Sequence, residues 1–265
     1  MKKINLLILI LICSACSTIS SREVPEIQGR TFSHELLNNV LSTHVRNGKV
    51  DYNKLQTNDT ELEQYYSLLT KYSPDSTPDY FPSDDDKLAY WINAYNGSVL
   101  RTVLKHYPIS SVKDVKPPFL FSYLPDISGF FVFQKIVLGG DKYSLYDLEN
   151  KVVRKRFKEP RIHFALNCAS IGCPKLPSKA FSAENLETEL ESEAKKFFSE
   201  KRNLEIDHNN KKIKLSSILD WYKSDFGDLR TYIAKYASEE DQKSISNPDY
   251  KLEFNNYDWG LNSLK

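Results

Sequence analysis

The chain has 265 residues, 40% hydrophobic and 12% aromatic, with 36 basic and 35 acidic side chains and a formal net charge of +1. That balance removes the long-range field that nucleic-acid or anionic-surface binding draws on, so no nucleic-acid partner is expected. No 20-to-50-residue repeat, heptad run or low-complexity tract occurs, which excludes a solenoid or a coiled coil.

Lys2 and Lys3, the apolar run Ile4 to Ile12 and the small-residue site Ser14-Ala15-Cys16 predict a signal peptide over residues 1–15. The run is too short to span a bilayer as a mature helix. Cys16 resembles the lipidated cysteine of bacterial lipoproteins, with Cys13 where leucine is more usual; ordinary secretion is the alternative. Ser17, in place of an aspartate, is similar to lipoproteins sent on to an outer membrane, which predicts a lipid-anchored envelope protein facing the periplasm. A tether over 16–30 then leads to a single globular domain over 31–265, long enough for one sizeable core.

Leu36, Leu37, Val40, Leu41 and Val45 recur at helical spacing, and Asn47-Gly48 supplies left-handed residues to stop that helix. A second helix is predicted over Thr60 to Tyr72, followed by a Ser/Pro/Asp-rich loop from Ser73 to Pro82. Ser83 with Asp86 three residues on reads as the cap of a third helix, Asp84 to His106. Its stripe of Leu88, Trp91, Ile92, Tyr95, Val99, Val103 and Leu104 makes it the central buried helix. Asn93 and Asn96 interrupt that apolar surface; they either satisfy core backbone groups or contact a substrate.

After an aromatic, Pro-interrupted connection from Tyr107 to Pro125, Phe131 to Leu138 reads as strand and Gly139-Gly140 as its turn. Ser144 and Asp147 form a cap-like pair for a helix reaching Phe157, which carries Glu149 and the basic run Lys151 to Arg156 on its wet side. Arg161 to Asn167 alternates like a strand. A helix over Ala183 to Ser199, a hairpin over Leu204 to Leu215 around Asn209-Asn210, short helices at Ile218 to Tyr222 and Leu229 to Tyr236, and a strand over Lys251 to Phe254 complete the chain. Helices and strands mix without regular βαβ alternation, so the expected class is α+β, helix-rich, with a small mixed or antiparallel sheet around the central helix.

Arg161 to Pro174 (RIHFALNCASIGCP) concentrates the chemistry, holding Cys168, Cys173 and His163. If Asn167 turns the chain in a left-handed conformation, His163 and Cys168 converge, and the imidazole can draw off the thiol proton for acyl transfer or hydrolysis. Glu149, Asn93 or Asn96 would orient the ring. In an oxidising envelope, Cys168 and Cys173 can instead close a structural or redox-labile disulfide, worth about 2 kcal/mol for so short a ring in the chain-entropy model. A third reading makes His163, Cys168 and Cys173 metal ligands, though a structural zinc site needs a fourth. His34, His44 and His106 fall in or beside helices and His208 in a hairpin turn; no HExxH, Walker A or GxGxxG pattern occurs, so no cofactor is expected.

Five blocks together are familiar: GKVDY at Gly48 to Tyr52, YWINAYN at Tyr90 to Asn96, SLYDLE at Ser144 to Glu149, PRIHFALNC at Pro160 to Cys168 with Cys173-Pro174, and YDWGLN at Tyr257 to Asn262. In this order they resemble the family catalogued as domain of unknown function 547. The resemblance implies no settled activity, marks Asn93, Asn96, Glu149, His163, Cys168 and Cys173 as pattern positions, and fits an exported bacterial protein. The family commonly has histidine after the glutamate, where this chain has Asn150. The expectation is a lipoprotein with a polar His/Cys/Glu site, acting as a cysteine-dependent hydrolase or acyl transferase. The alternative is a non-catalytic binding or assembly module, tied by a Cys168–Cys173 bridge, in which aromatic loops such as Phe119 to Tyr123 meet a partner. The substrate or partner would be a small molecule, a peptide or an envelope protein.

Overall fold

The computed structural model describes residues 26, 27 and 29–264. The expected signal peptide, Cys16 and most of the tether lie outside the described residues. Helix α1 (Glu35–His44) buries Leu37, Val40 and Leu41. Asn47 and Gly48, at φ 49° and 80°, turn the chain through a tight hairpin of β1 (Val45–Arg46) and β2 (Lys49–Val50). Gly48 also lies against Lys175, where an added Cβ would come within 2.6 Å of its side chain. Helices α2 (Tyr52–Thr57), capped by the Asp51 carboxylate, and α3 (Thr60–Lys71) follow.

The central helix α4 runs Asp84–His106 and opens on a capping box, in which Ser83 and Asp86 each accept from the other's backbone N–H. Fifteen of its residues are buried, so it is enclosed on almost every side, and each large apolar side chain taken out of water contributes roughly 1.5–3 kcal/mol. Arg101 clamps Glu63 of α3 with two bonds of 2.7 and 3.0 Å. Beyond it come α5 (Ser128–Phe131) and an antiparallel hairpin, β3 (Lys135–Leu138) with β4 (Asp141–Ser144), turned by Gly139-Gly140. The strand expected from Phe131 therefore starts four residues later, after a helical turn.

Ser144 accepts from the Asp147 N–H and starts a continuous helix. It comprises α6 (Leu145–Asp147), a π-helical stretch (Leu148–Val153) and α7 (Arg154–Phe157). The extra residue of a π turn rotates the side chains that follow it. The strand expected over Arg161 to Asn167 is a correction: Ile162–Ala165 is a short helix, α8. The alternation carried no facing information because His163, Ala165 and Asn167 are as buried as Ile162, Phe164 and Leu166.

Helix α9 (Leu186–Ser199) packs on α8. Strands β5 (Leu204–Asp207) and β6 (Lys212–Leu215) form the expected hairpin, with α10 (Ser217–Trp221), α11 (Leu229–Ala234) and α12 (Glu239–Ser246) after it. Strand β7 (Lys251–Phe254) then joins β6 in parallel, giving a mixed three-stranded sheet. The class is α+β. One apolar cluster surrounds α4; a second joins α9, α10, α11 and the mixed sheet. Phe164 of α8 belongs to the second while Ile162 and Ala165 belong to the first, so α8 sits on the seam where the site forms. Among the described residues no helix is long and apolar enough to cross a membrane.

Candidate functional site

A cavity of about 40 Å³ opens at this seam, lined by Tyr95, Glu149, His163, Cys168, Cys173, Trp221, Tyr222 and Tyr257 among others. Four of the residues singled out in the sequence therefore meet in one place. Asn93 and Asn96 do not line it. Asn93 brackets Phe181, accepting from its N–H at 2.9 Å and donating to its carbonyl at 2.8 Å. Asn96 accepts from the Asn167 N–H at 2.9 Å and donates to the Ala165 carbonyl at 2.9 Å. Both amides are spent on backbone, which gives them a positioning role in place of substrate contact: Asn96 fixes the exit of α8, where the cysteine loop begins.

The loop is held from inside by Asn167, which donates to the Pro174 carbonyl at 2.7 Å and accepts from the Ala169 N–H at 2.9 Å. Ala169, not Asn167, takes the left-handed conformation, at φ 60° with no exposed surface. Such a backbone costs a non-glycine residue roughly 1–2 kcal/mol and persists only where its surroundings impose it. The C-terminal segment does so. The Asn262 N–H donates to the Ala169 carbonyl, while its side chain reaches Tyr52, Gly48 and Asn167. Gly172 lies so close to Asp258 that an added Cβ would stand 2.9 Å from its backbone nitrogen.

His163 is buried and stacked on Tyr222, ring centroids 4.0 Å apart. Its Nε2 bonds Asp225 Oδ2 at 2.8 Å, and Asp225 also takes two bonds from Arg154, at 2.7 and 2.9 Å. Burial lowers the His163 pKa to about 4 in spite of Asp225, so the ring is neutral at pH 7. The Asp225 carboxyl, although desolvated, is held at about 2 by its bonds to Arg154 and His163. Asp225 thus fills the orienting position expected of Glu149 or the asparagines. It lies 62 residues from His163 on the turn after α10, in a stretch with no local pattern to mark it. Asn150, where the resembled family commonly has histidine, accepts from Arg154 and so stands behind the same charge pair.

Glu149 enters from the π-helical stretch. It accepts from the Tyr222 hydroxyl at 2.5 Å and the Tyr95 hydroxyl at 3.3 Å. Burial raises its pKa against those bonds and the nearby Arg154 charge.

The Cys168 sulfur is 2.8 Å from the Tyr257 hydroxyl, and no hydrogen bond links it to His163. Burial opposes its ionisation, yet the polar groups around it, the Cys173 side chain first and then Tyr257 and Ser170, outweigh this and lower its pKa. Cys173 is pushed well up, by burial first and then by Cys168 beside it. The expected disulfide is absent here: both cysteines are free thiols, with the Cys168 N–H donating to Cys173 Sγ at 2.9 Å. Among the described residues, no three His, Cys, Asp or Glu side chains are grouped to hold a metal ion, so the three-ligand reading of His163, Cys168 and Cys173 gains no geometry.

The fold and the site define an α+β protein with a buried thiol, a neutral imidazole and a carboxyl facing one small cavity. Residues 81–198 match the model of the family described as "Protein of unknown function, DUF547", and the chain resembles that family over this stretch. The match holds Asn93, Asn96, Glu149, His163 and both cysteines, while Tyr222, Asp225 and Tyr257 come from beyond it. No curated protein matches the chain, and no solved structure does.

Proposed function

We propose that this chain is a lipid-anchored envelope enzyme that transfers or hydrolyses an acyl group through Cys168, with His163 as general base and Asp225 as its orienting carboxylate. The observation that carries the reading is the Asp225–His163 bond beside a thiol of lowered pKa in the same cavity. A neutral imidazole held at Nε2 has Nδ1 to accept the thiol proton, and Asp225 would stabilise the imidazolium formed. The thiolate adds to the carbonyl carbon, the leaving group takes the proton back from His163, and water or an acceptor then opens the thioester.

The Tyr257 bond to sulfur would have to lengthen as His163 engages; catalytic bonds are often loose before substrate arrives. The cavity admits a reacting carbonyl and little else, so the rest of the substrate would lie outside, beside the half-exposed Trp221. Lys2, Lys3, the Ile4 to Ile12 run and Cys16 are what support the export and anchoring in this reading.

The test is acylation by p-nitrophenyl acetate, followed by peptide mapping. The expected result is acyl transfer to Cys168 that His163→Gln slows by roughly 10²-fold or more. An unchanged rate in that variant removes the general base and with it the reading.

One observation favours the binding module instead. Phe119, Leu120 and Tyr123 are 88%, 80% and 78% exposed, an apolar loop such as partner contacts use. Loss of a cellular phenotype on replacing Phe119 and Leu120 by serine, with none from Cys168→Ala, would favour that role.

A further inference from the structure

We infer that Cys168 and Cys173 form a thiol–disulfide exchange pair, Cys168 attacking a disulfide presented at the cavity mouth and Cys173 resolving the product. Their placement is asymmetric in the way such a pair needs. Both line the cavity, but Cys168 is partly exposed whereas Cys173 is buried, with its thiol turned to the Leu166 carbonyl, 3.7 Å away. The Cys168 N–H donates to Cys173 Sγ at 2.9 Å, which brings the two residues together across the loop. Arg202 holds the intervening loop through the Ile171 and Cys173 carbonyls, while Gly172 and Ile171 bond to the Asp258 and Gly260 carbonyls. The ring to be closed is therefore already bent.

The chemistry balances. The Cys168 thiolate attacks one sulfur of the incoming disulfide; that S–S bond breaks, a mixed disulfide forms, and the first thiolate leaves with the proton Cys168 released. Cys173 then loses its proton and attacks Cys168 Sγ, expelling the second thiol with that proton. The dithiol gives up two electrons and the substrate disulfide becomes two thiols. The order is enforced electrostatically. Cys173 is hard to ionise while buried next to a Cys168 thiolate, and once Cys168 is neutral in the mixed disulfide that repulsion ends while the Cys168 N–H remains to stabilise the new thiolate.

This exchange needs neither His163 nor acyl chemistry, so it stands or falls separately from the acyl-transfer reading. The experiment uses the purified full-length chain, reduced, then exposed to glutathione disulfide and, in parallel, to a disulfide-bonded model peptide. Peptide mapping reads each cysteine apart from Cys13 and Cys16. The expected result is a closed Cys168–Cys173 bridge in the wild type and one trapped adduct on Cys168 in Cys173→Ser. Cys168→Ser should be modified at Cys173 roughly tenfold more slowly or less. The faster arm identifies a small thiol or a polypeptide as the source of the disulfide. Wild-type alkylation rates supply a reading free of mutation: Cys168 should react first. The inference is overturned by a wild-type adduct that never closes, by no oxidation in either arm, or by equal reactivity of the two cysteines.

Discussion

Replacing His163 by glutamine should flatten the acid side of the stability curve. In the folded chain its pKa lies at about 4, against 6.5 when unburied, because the ring is stacked on Tyr222 at the seam of the two cores. Above 6.5 both folded and unfolded chains carry a neutral ring, and the difference contributes nothing. Between 6.5 and 4 only the unfolded chain takes up the proton, so stability falls as pH falls through that window. At about 1.4 kcal/mol per unit, the loss due to His163 reaches about 2 kcal/mol by about pH 5 and about 3 kcal/mol well below pH 4. His34, whose pKa burial lowers to about 3, adds a parallel loss, so the difference between variant and wild type isolates His163. Urea melts of both proteins between about pH 8 and pH 5 measure it. The variant should be the less stable at the upper end, where it loses ring packing, and should gain about 2 kcal/mol on the wild type by the lower end. A difference that stays constant across this range would mean that His163 titrates normally, and the reasoning from its burial would be wrong.

Asp225→Asn removes a carboxylate that Arg154 and His163 hold at about 2, and, with solvent screening of this partly exposed group allowed for, should cost roughly 1–2 kcal/mol at neutral pH, read by urea melts. Glu149→Gln should behave oppositely to His163→Gln: a buried carboxyl with a raised pKa costs the fold stability as pH rises past it, so the variant gains on the wild type from about pH 4 upward, by the same assay. Tyr257→Phe takes a hydrogen bond from Cys168 Sγ and should move the pH midpoint of Cys168 alkylation upward. Phe164→Ala, at the junction of the two apolar clusters, should cost about 3–5 kcal/mol by thermal or urea melting.

Most of the fold was legible where one face of an element meets water. Periodicity and caps placed α1, α3, α4 and α9, and the Asn209-Asn210 turn placed the β5–β6 hairpin. Reading failed where that contrast vanished. Residues 162–167 are buried on every side, so an alternating pattern masked a helix. α12 was missed because Ile245 is its one buried residue. The site was half legible. Glu149, His163, Cys168 and Cys173 stand out as polar or reactive groups in apolar surroundings, and Asn96 as an amide in an apolar helix. Asp225 looks like any loop carboxylate in sequence and Tyr222 like an ordinary turn residue, while Tyr257 and Asn262 stand in the YDWGLN block without a pattern to say what they touch; the roles of all four exist only through contacts across 62 to 210 residues.

The clasp made by Asn262 also makes the site a late product of folding. This side chain joins Tyr52, Gly48 and Asn167, and its own backbone secures Ala169. A loop whose strained residue is pinned by so distant a segment cannot reach its working shape before the two meet, and contacts of such long separation form late. Until then Cys168 and Cys173 are two ordinary thiols; closing the clasp is what turns them into a site.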